Sequence, residues 1–309
     1  MPGSGLPARV TVREVGPRDG LQAEALLRPE LRVTLLEALV AAGVTEVEAV
    51  AFVSPRAVPA MAGAAEVLAG FGGRPGVVRW ALVPNLRGAE MALEAGADAL
   101  SVTASASEGY SQRNVGMGVD DAVVEVARIA AAAAAAPQRN PAGPGGDKPR
   151  VDAVISCAFG SPYEGDIEPG AVAGLGLRLL DGGATSLTLA DTTGMATPPR
   201  VDSVLARTGT DVGLHLHETR GTGLVNAYAA LLAGVTRFDT SVGGLGGSPF
   251  AAGAAGNLAT EDLVYLLDDL DVSSGIDLVA LLGASRLVAE LTGHPVPSRV
   301  AAAGPRLAR

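Results

Sequence analysis

Eight times along this chain, a short run rich in β-branched residues is followed by a longer stretch with helical spacing. The strands read at 10–15, 46–52, 77–83, 99–103, 151–156, 186–190, 212–217 and 237–242. The helices read at 29–42, 60–70, 86–95, 120–136, 169–180, 198–208, 221–233 and 260–270. Alternation of this kind predicts parallel strands joined by right-handed crossovers. Eight units over roughly 270 residues fit an α/β fold of the closed (β/α)8 TIM-barrel type better than an open doubly wound sheet, which more often has about five to seven strands.

Internal echoes support the repetition: AAGVTEVE from Ala41, EAGADAL from Glu94, DGGATSL from Asp181 and LAGVTRF from Leu232. Each puts a glycine where a helix must stop and turn into the next strand, a position that favours left-handed backbone. Residues 1–272 therefore read as one barrel. The Pro/Gly-rich stretch PQRNPAGPGGDKP at 137–149 is expected to be a flexible surface excursion between units four and five. Residues 273–309 are expected to add one further helix, near 276–291, and a tail that pack on the barrel.

Composition narrows the function classes. Hydrophobic residues at 48% and charged residues at 18% are incompatible with a disordered chain. With 23 basic against 33 acidic residues the net charge is −10, which argues against a nucleic-acid partner, since such proteins concentrate positive charge. A single cysteine, Cys157, precludes an intramolecular disulfide and fits a reducing compartment. Residues 1–10 lack the apolar core of a secretory signal, and the longest apolar run, 129–136, stops at Pro137, short of a membrane span. A soluble, cytoplasmic protein without a membrane partner is the expectation.

In a (β/α)8 barrel the active site lies where the strands end and the βα loops converge. The unusual polar residues of this sequence collect there. Strand one runs into Glu14-Val15-Gly16-Pro17-Arg18-Asp19-Gly20, strand two carries Glu48 in an apolar run, strand six ends in Asp191-Thr192-Thr193-Gly194, and strand seven ends in His215-Leu216-His217. Side chains two apart on a strand share a face, so the two imidazoles form half of a metal site that needs oxygen partners. Barrel closure puts strand one only about 10 Å, two strand spacings, from strand seven, so Asp19 can supply a carboxylate across the mouth. Arg18 can hold a carboxylate or steady a developing oxyanion, or else simply neutralise Glu14 or Glu48. Asp191 reads as a base or as a partner of a metal ligand. The glycine-rich loop from Gly243 to Asn257 reads as a lid or as a phosphate cradle. Cys157 reads as a small buried filler. Arg56, Arg87 and Arg113 follow strands two, three and four, where they could meet nucleotide phosphates or stand as solvated charges.

Taken in order, these segments resemble the 3-hydroxy-3-methylglutaryl-CoA lyases of the DRE-TIM metallolyase superfamily. The resemblance runs from about Val12 to Leu270 and is carried by EVGPRDGLQ (14–22), FVSP (52–55), PNLRG (84–88), SPYEG (161–165), DTTG (191–194), HLH (215–217) and GNLATEDLVY (256–265). It implies a Mg2+ or Mn2+ cofactor held by Asp19, His215, His217 and Asn257. It also implies an acyl-CoA substrate, Arg18 beside the developing enolate, Glu48 orienting Arg18 or the metal site, Asp191 as the catalytic aspartate, and a homodimer. Acetoacetate and acetyl-CoA would be the products. One position departs from the pattern. The family's loop carries a catalytic cysteine in GGCP, where this chain has Ser248. A hydroxyl is a far weaker acid than a thiol. The departure implies proton transfer through Asp191 and a bound water, reduced activity, or a different substrate such as a branched 3-hydroxyglutaryl-CoA. The alternatives are a Claisen-type synthase or ketoacid aldolase of the same superfamily, or a barrel that binds acyl-CoA without turnover.

Overall fold

The computed structural model describes residues 5–137, 148–247 and 256–306. The excursion expected at 137–149 therefore lies almost wholly outside the described residues, as does Ser248.

The strands are β1 (Thr11–Glu14), β2 (Glu46–Ala51), β3 (Val78–Val83), β4 (Ala99–Ser105), β5 (Arg150–Ser156), β6 (Ser186–Ala190), β7 (Gly213–His215) and β8 (Arg237–Thr240). All pair in parallel and in chain order, and β8 pairs back onto β1 from Thr11↔Arg237 to Glu14↔Thr240, so the barrel is closed. Outside it run α1 (Pro29–Ala41), α2 (Ala64–Phe71), α3 (Leu86–Glu94), α4 (Glu108–Val115), α5 (Val119–Ala135), α6 (Pro169–Asp181), α7 (Pro198–Thr208), α8 (Gly223–Ala233), α9 (Thr260–Asp269), α10 (Leu278–Thr292) and α11 (Arg299–Ala303). Proline opens α1, α6 and α7, where its missing N–H costs nothing. The aliphatic core fills the space between strands and helices, with Leu35, Leu36 and Leu39 of α1 fully buried against the barrel.

The four echoes correspond to one repeated structure. Gly43, Gly96, Gly183 and Gly234 all have positive φ, between +89° and +102°. After each, the next amide donates to the carbonyl five residues back: Val44 to Leu39, Ala97 to Ala92, Ala184 to Leu179 and Val235 to Ala230. This is the Schellman helix ending. Each time the following strand starts three residues past the glycine, and the strands so launched are the even-numbered ones, β2, β4, β6 and β8.

Three differences from the sequence expectation have local causes. Helix α4 was not expected; its segment EGYSQRNV buries only Tyr110 and Ser111, too little for an apolar period, and it is started by Ser107, whose hydroxyl caps Tyr110 N. Helix α11 is likewise started by a serine cap, Ser298, and buries no residue. Strand β7 stops at His215 instead of reaching His217, because a returning segment takes over the pairing: Leu258 N donates to Leu216 O, and His217 bridges Asn257. The helix expected after the barrel, α10, packs against α1 and α9, tied to the end of α1 by Asp277 N donating to Ala42 O at 2.8 Å.

Two buried carboxylates fasten the root of the loop after β8. Glu14 accepts from Gly16 N, Val242 N and Thr260 Oγ1, and Glu261 accepts from Gly243 N. Burial pushes Glu14 up to about 8 and Glu261 up to about 7. Carboxyl groups raised in this way bind more protons folded than unfolded, so stability is expected to fall as pH rises from about 5 to 8. The Glu14→Gln variant, whose amide supplies one acceptor and one donor, should flatten that slope. Urea midpoints at pH 5, 6.5 and 8 measure it, and an unchanged slope in the variant refutes the assignment.

Candidate metal centre

At the C-terminal mouth of the barrel, Asp19, His215 and His217 are all buried and offer ligand atoms within 4.8 Å of one another. Each arrives by a different route. Past β1 the chain tightens into a single turn over Gly16–Gly20, in which the amides of Arg18, Asp19 and Gly20 all donate to Val15 O. That turn aims Asp19 back across the mouth. His215 ends β7, and His217 follows it on the same side, so that the two Nε2 atoms lie 3.2 Å apart.

Asp19 is held at both oxygens. Oδ1 accepts from Arg18 at 2.5 Å and Gln22 at 2.9 Å, and Oδ2 accepts from Asn257 Nδ2 at 2.7 Å. Burial opposes its charge, but Arg18 and the histidines outweigh that and lower its pKa. Burial also works against protonated His215, yet its bond to Asp239 and the charge of Asp19 raise its pKa. Among the described residues no carboxylate is bonded to His217; burial and the neighbouring His215 push it down to about 4.

Asn257 reaches the site because residues 256–259 wedge between the exits of β7 and β8, with Glu218 N donating to Gly256 O and Ser241 N to Leu258 O. The approach is close: a Cβ at Gly256 would overlap the Gly244 carbonyl, and one at Gly246 would stand 2.5 Å from Asn257 Nδ2.

This donor set fits a hard or borderline divalent cation. Two nitrogens 3.2 Å apart match an edge of an octahedral shell with metal–ligand bonds a little over 2 Å, which is about 3 Å long. Asn257 Oδ1 is buried with no hydrogen-bond partner among the described residues, an unsatisfied acceptor beside the triad. Imidazole, carboxylate and amide without thiolate make a mixed nitrogen and oxygen donor set of the kind that holds a divalent cation.

The remaining expected residues fall as follows. Arg18 pairs with Glu48 and with Asp19, and not with Glu14. Asp191 directly follows β6, and its Oδ1 accepts from Met195 N at 2.7 Å and Ala196 N at 2.9 Å. Its Oδ2 is buried without a partner among the described residues, and burial pushes the group up to about 6. Arg56, Arg87 and Arg113 are exposed at the rim after β2, β3 and β4, with Arg113 stacked 4.2 Å over the Tyr163 ring. Cys157 is buried at the end of β5, its thiol pushed up mainly by burial to about 12, which suits a filler and not a nucleophile.

Sequence reasoning missed Gln22 and Asp239, the latter bonded to His215 Nδ1 at 3.3 Å. The signal for Asp239 was available: an ionisable residue inside the short eighth strand, RFDT, where an aliphatic one is ordinary.

A closed (β/α)8 barrel carrying a candidate divalent-metal site at the C-terminal mouth of its strands is the class that fold and site define. The HMGL-like family profile matches residues 9–288, and the chain belongs to that family. A Pseudomonas aeruginosa protein named 3-hydroxy-3-isohexenylglutaryl-CoA/hydroxymethylglutaryl-CoA lyase is 41% identical over 96% of this chain and 98% of its own length. The crystal structure of the Bacillus subtilis HMG-CoA lyase superposes with a TM-score of 0.89 at 38% identity, covering 96% of this chain and 98% of that one. The Acinetobacter baumannii HMG-CoA lyase, solved with coenzyme A and 3-methylmalate, gives a TM-score of 0.88 at 36% identity, covering 100% of this chain and 98% of that one.

Proposed function

We propose that this chain is a divalent-metal-dependent carbon–carbon lyase that cleaves 3-hydroxy-3-methylglutaryl-CoA, or a close 3-hydroxyacyl-CoA analogue, to acetoacetate (or the analogous ketone) and acetyl-CoA. The observation that carries the reading is the meeting of Asp19, His215 and His217 at the mouth of an HMGL-like barrel. The names of the relatives, and the coenzyme A held by the Acinetobacter protein, support a thioester substrate.

Asp19, His215, His217 and Asn257 would hold Mg2+ or Mn2+. The bound cation would supply Lewis-acid polarisation of the substrate's hydroxyl and carboxylate oxygens. Asp191, fixed through Oδ1, takes the C3 hydroxyl proton at Oδ2. The C2–C3 bond then breaks, its electron pair passing to the thioester enolate as C3 becomes a ketone. Arg18, braced by Glu48, sets a fixed positive charge where that enolate develops. Return of one proton to C2 completes acetyl-CoA, and no further reactant is needed. Arg56, Arg87 and Arg113, exposed on the rim, are the candidates for the CoA phosphates.

The test is incubation with Mg2+ and a panel of acyl-CoA thioesters, following acetyl-CoA. Its release from a 3-hydroxyglutaryl-CoA supports the lyase, whereas consumption of acetyl-CoA with a ketoacid, or binding without conversion, overturns it. The Pseudomonas relative is named for two substrates that differ at C3, so the panel includes a long C3 chain. Replacing Ser248 by cysteine is expected to raise turnover severalfold, because a thiol exchanges protons far more readily near neutrality. An unchanged rate in a fast wild type assigns that proton to another group.

A further inference from the structure

Barrel closure writes one row of side chains across β1, β8 and β7, since Arg13 is the register partner of Asp239 and Asp239 that of His215. The three are buried and joined. Arg13 grips Asp239 with two donors, Nε to Oδ1 at 2.8 Å and Nη2 to Oδ2 at 2.7 Å. Its Nη2 also meets Asp152 Oδ2 at 2.9 Å, and Asp152 accepts in turn from Ser186 and Thr188. The guanidinium itself is stacked 4.8 Å over Trp80. Asp239 is thus clamped from the floor of the barrel, while its Oδ2 turns to His215 Nδ1 at 3.3 Å.

From this we infer that Asp239, clamped by Arg13, is a positioning residue that keeps the His215 proton on Nδ1 and its Nε2 lone pair turned into the mouth. An oxygen already accepting from a guanidinium offers the imidazole only an acceptor, so Nδ1 must be the donor and, in the neutral ring, Nε2 must be bare. A ring that binds a cation through Nε2 needs that tautomer, and carboxylate partners of this kind are worth about 10–100-fold in metal affinity. Nothing else bonded to His215 Nδ1 among the described residues fixes the choice.

The inference rests on the metal-site reading above, and the experiment separates the two. In metal-free wild type, at a pH where the rings are neutral, long-range 1H–15N spectra should show His215 protonated on Nδ1; a proton on Nε2 overturns the inference without any variant. In Asp239→Asn both side-chain positions still face Arg13, so the amide oxygen keeps one of the two bonds while the nitrogen opposes the other donor; Arg13 keeps Asp152, so the fold is retained. The acceptor at Nδ1 is then no longer fixed by the two-pronged grip, and the ring is released to carry its proton on Nε2. Mn2+ affinity, read by electron paramagnetic resonance, should fall at least tenfold, and the His215 spectrum should switch tautomer, which a merely structural role would not move. Should Asp239→Asn fail to fold, Arg13→Lys, which keeps the charge but loses the two-pronged grip, should weaken Mn2+ severalfold. Equal Mn2+ affinity in a folded variant overturns the inference, while failure of the wild type to bind Mn2+ overturns the metal reading itself.

Discussion

Under the proposed mechanism, Asp191→Asn is expected to lower kcat by about 10²–10⁴-fold, the range lost when a positioned general base is removed. The variant is a near-isostere. Its amide oxygen keeps the two bonds from Met195 N and Ala196 N that orient the side chain. What changes is the other atom: a bare, buried oxygen without a partner among the described residues becomes an NH2 that cannot take a proton. Substrate affinity and Mn2+ binding should stay within a few-fold of the wild type. Acetyl-CoA release under saturating substrate, set beside Mn2+ binding, checks both halves. A fall of less than tenfold would move the base elsewhere.

His217→Ala is expected to lose metal and turnover together. The triad offers three charged or nitrogen ligands, and removing one of the two facing Nε2 atoms leaves a site with a single imidazole. Lewis-acid polarisation is worth several kcal/mol, so kcat should fall by about 10³-fold or more at ordinary metal concentrations. The buried ring sits in a polar cluster with Asn257 and His215, so thermal stability should change less than activity. The contrast with Asp191→Asn is the useful part: one variant keeps metal and loses chemistry, and the other loses both.

How much of this was legible in the sequence depended on whether the cause was local or long-range. Each helix ending with Gly43, Gly96, Gly183 or Gly234 is dictated by a few adjacent residues, so the repeat, and with it the barrel, could be read directly. The meeting of Asp19 with His215 and His217 followed from the barrel alone, because ring closure brings the first and seventh strands near one another. The end of β7 did not follow, since it is set by a segment some forty residues on, where Leu258 N takes the Leu216 carbonyl. For the same reason Asn257 was reachable only through resemblance. Its place depends on the return of the chain across the mouth and on close backbone packing at Gly246 and Gly256, neither of which leaves a local pattern. Asp239 carried a local signal, an ionisable residue inside the short eighth strand, but its partners Arg13 and His215 come from β1 and β7, and no local pattern joins the three.

The most direct test is a Mn2+ titration of chelator-stripped wild-type protein, with bound ion counted by electron paramagnetic resonance and acetyl-CoA release followed on the same samples. One site per chain, with turnover rising in step with its occupancy, is the expected result. Full turnover in the stripped protein, or no saturable site, would contradict the metal centre and the mechanism built on it.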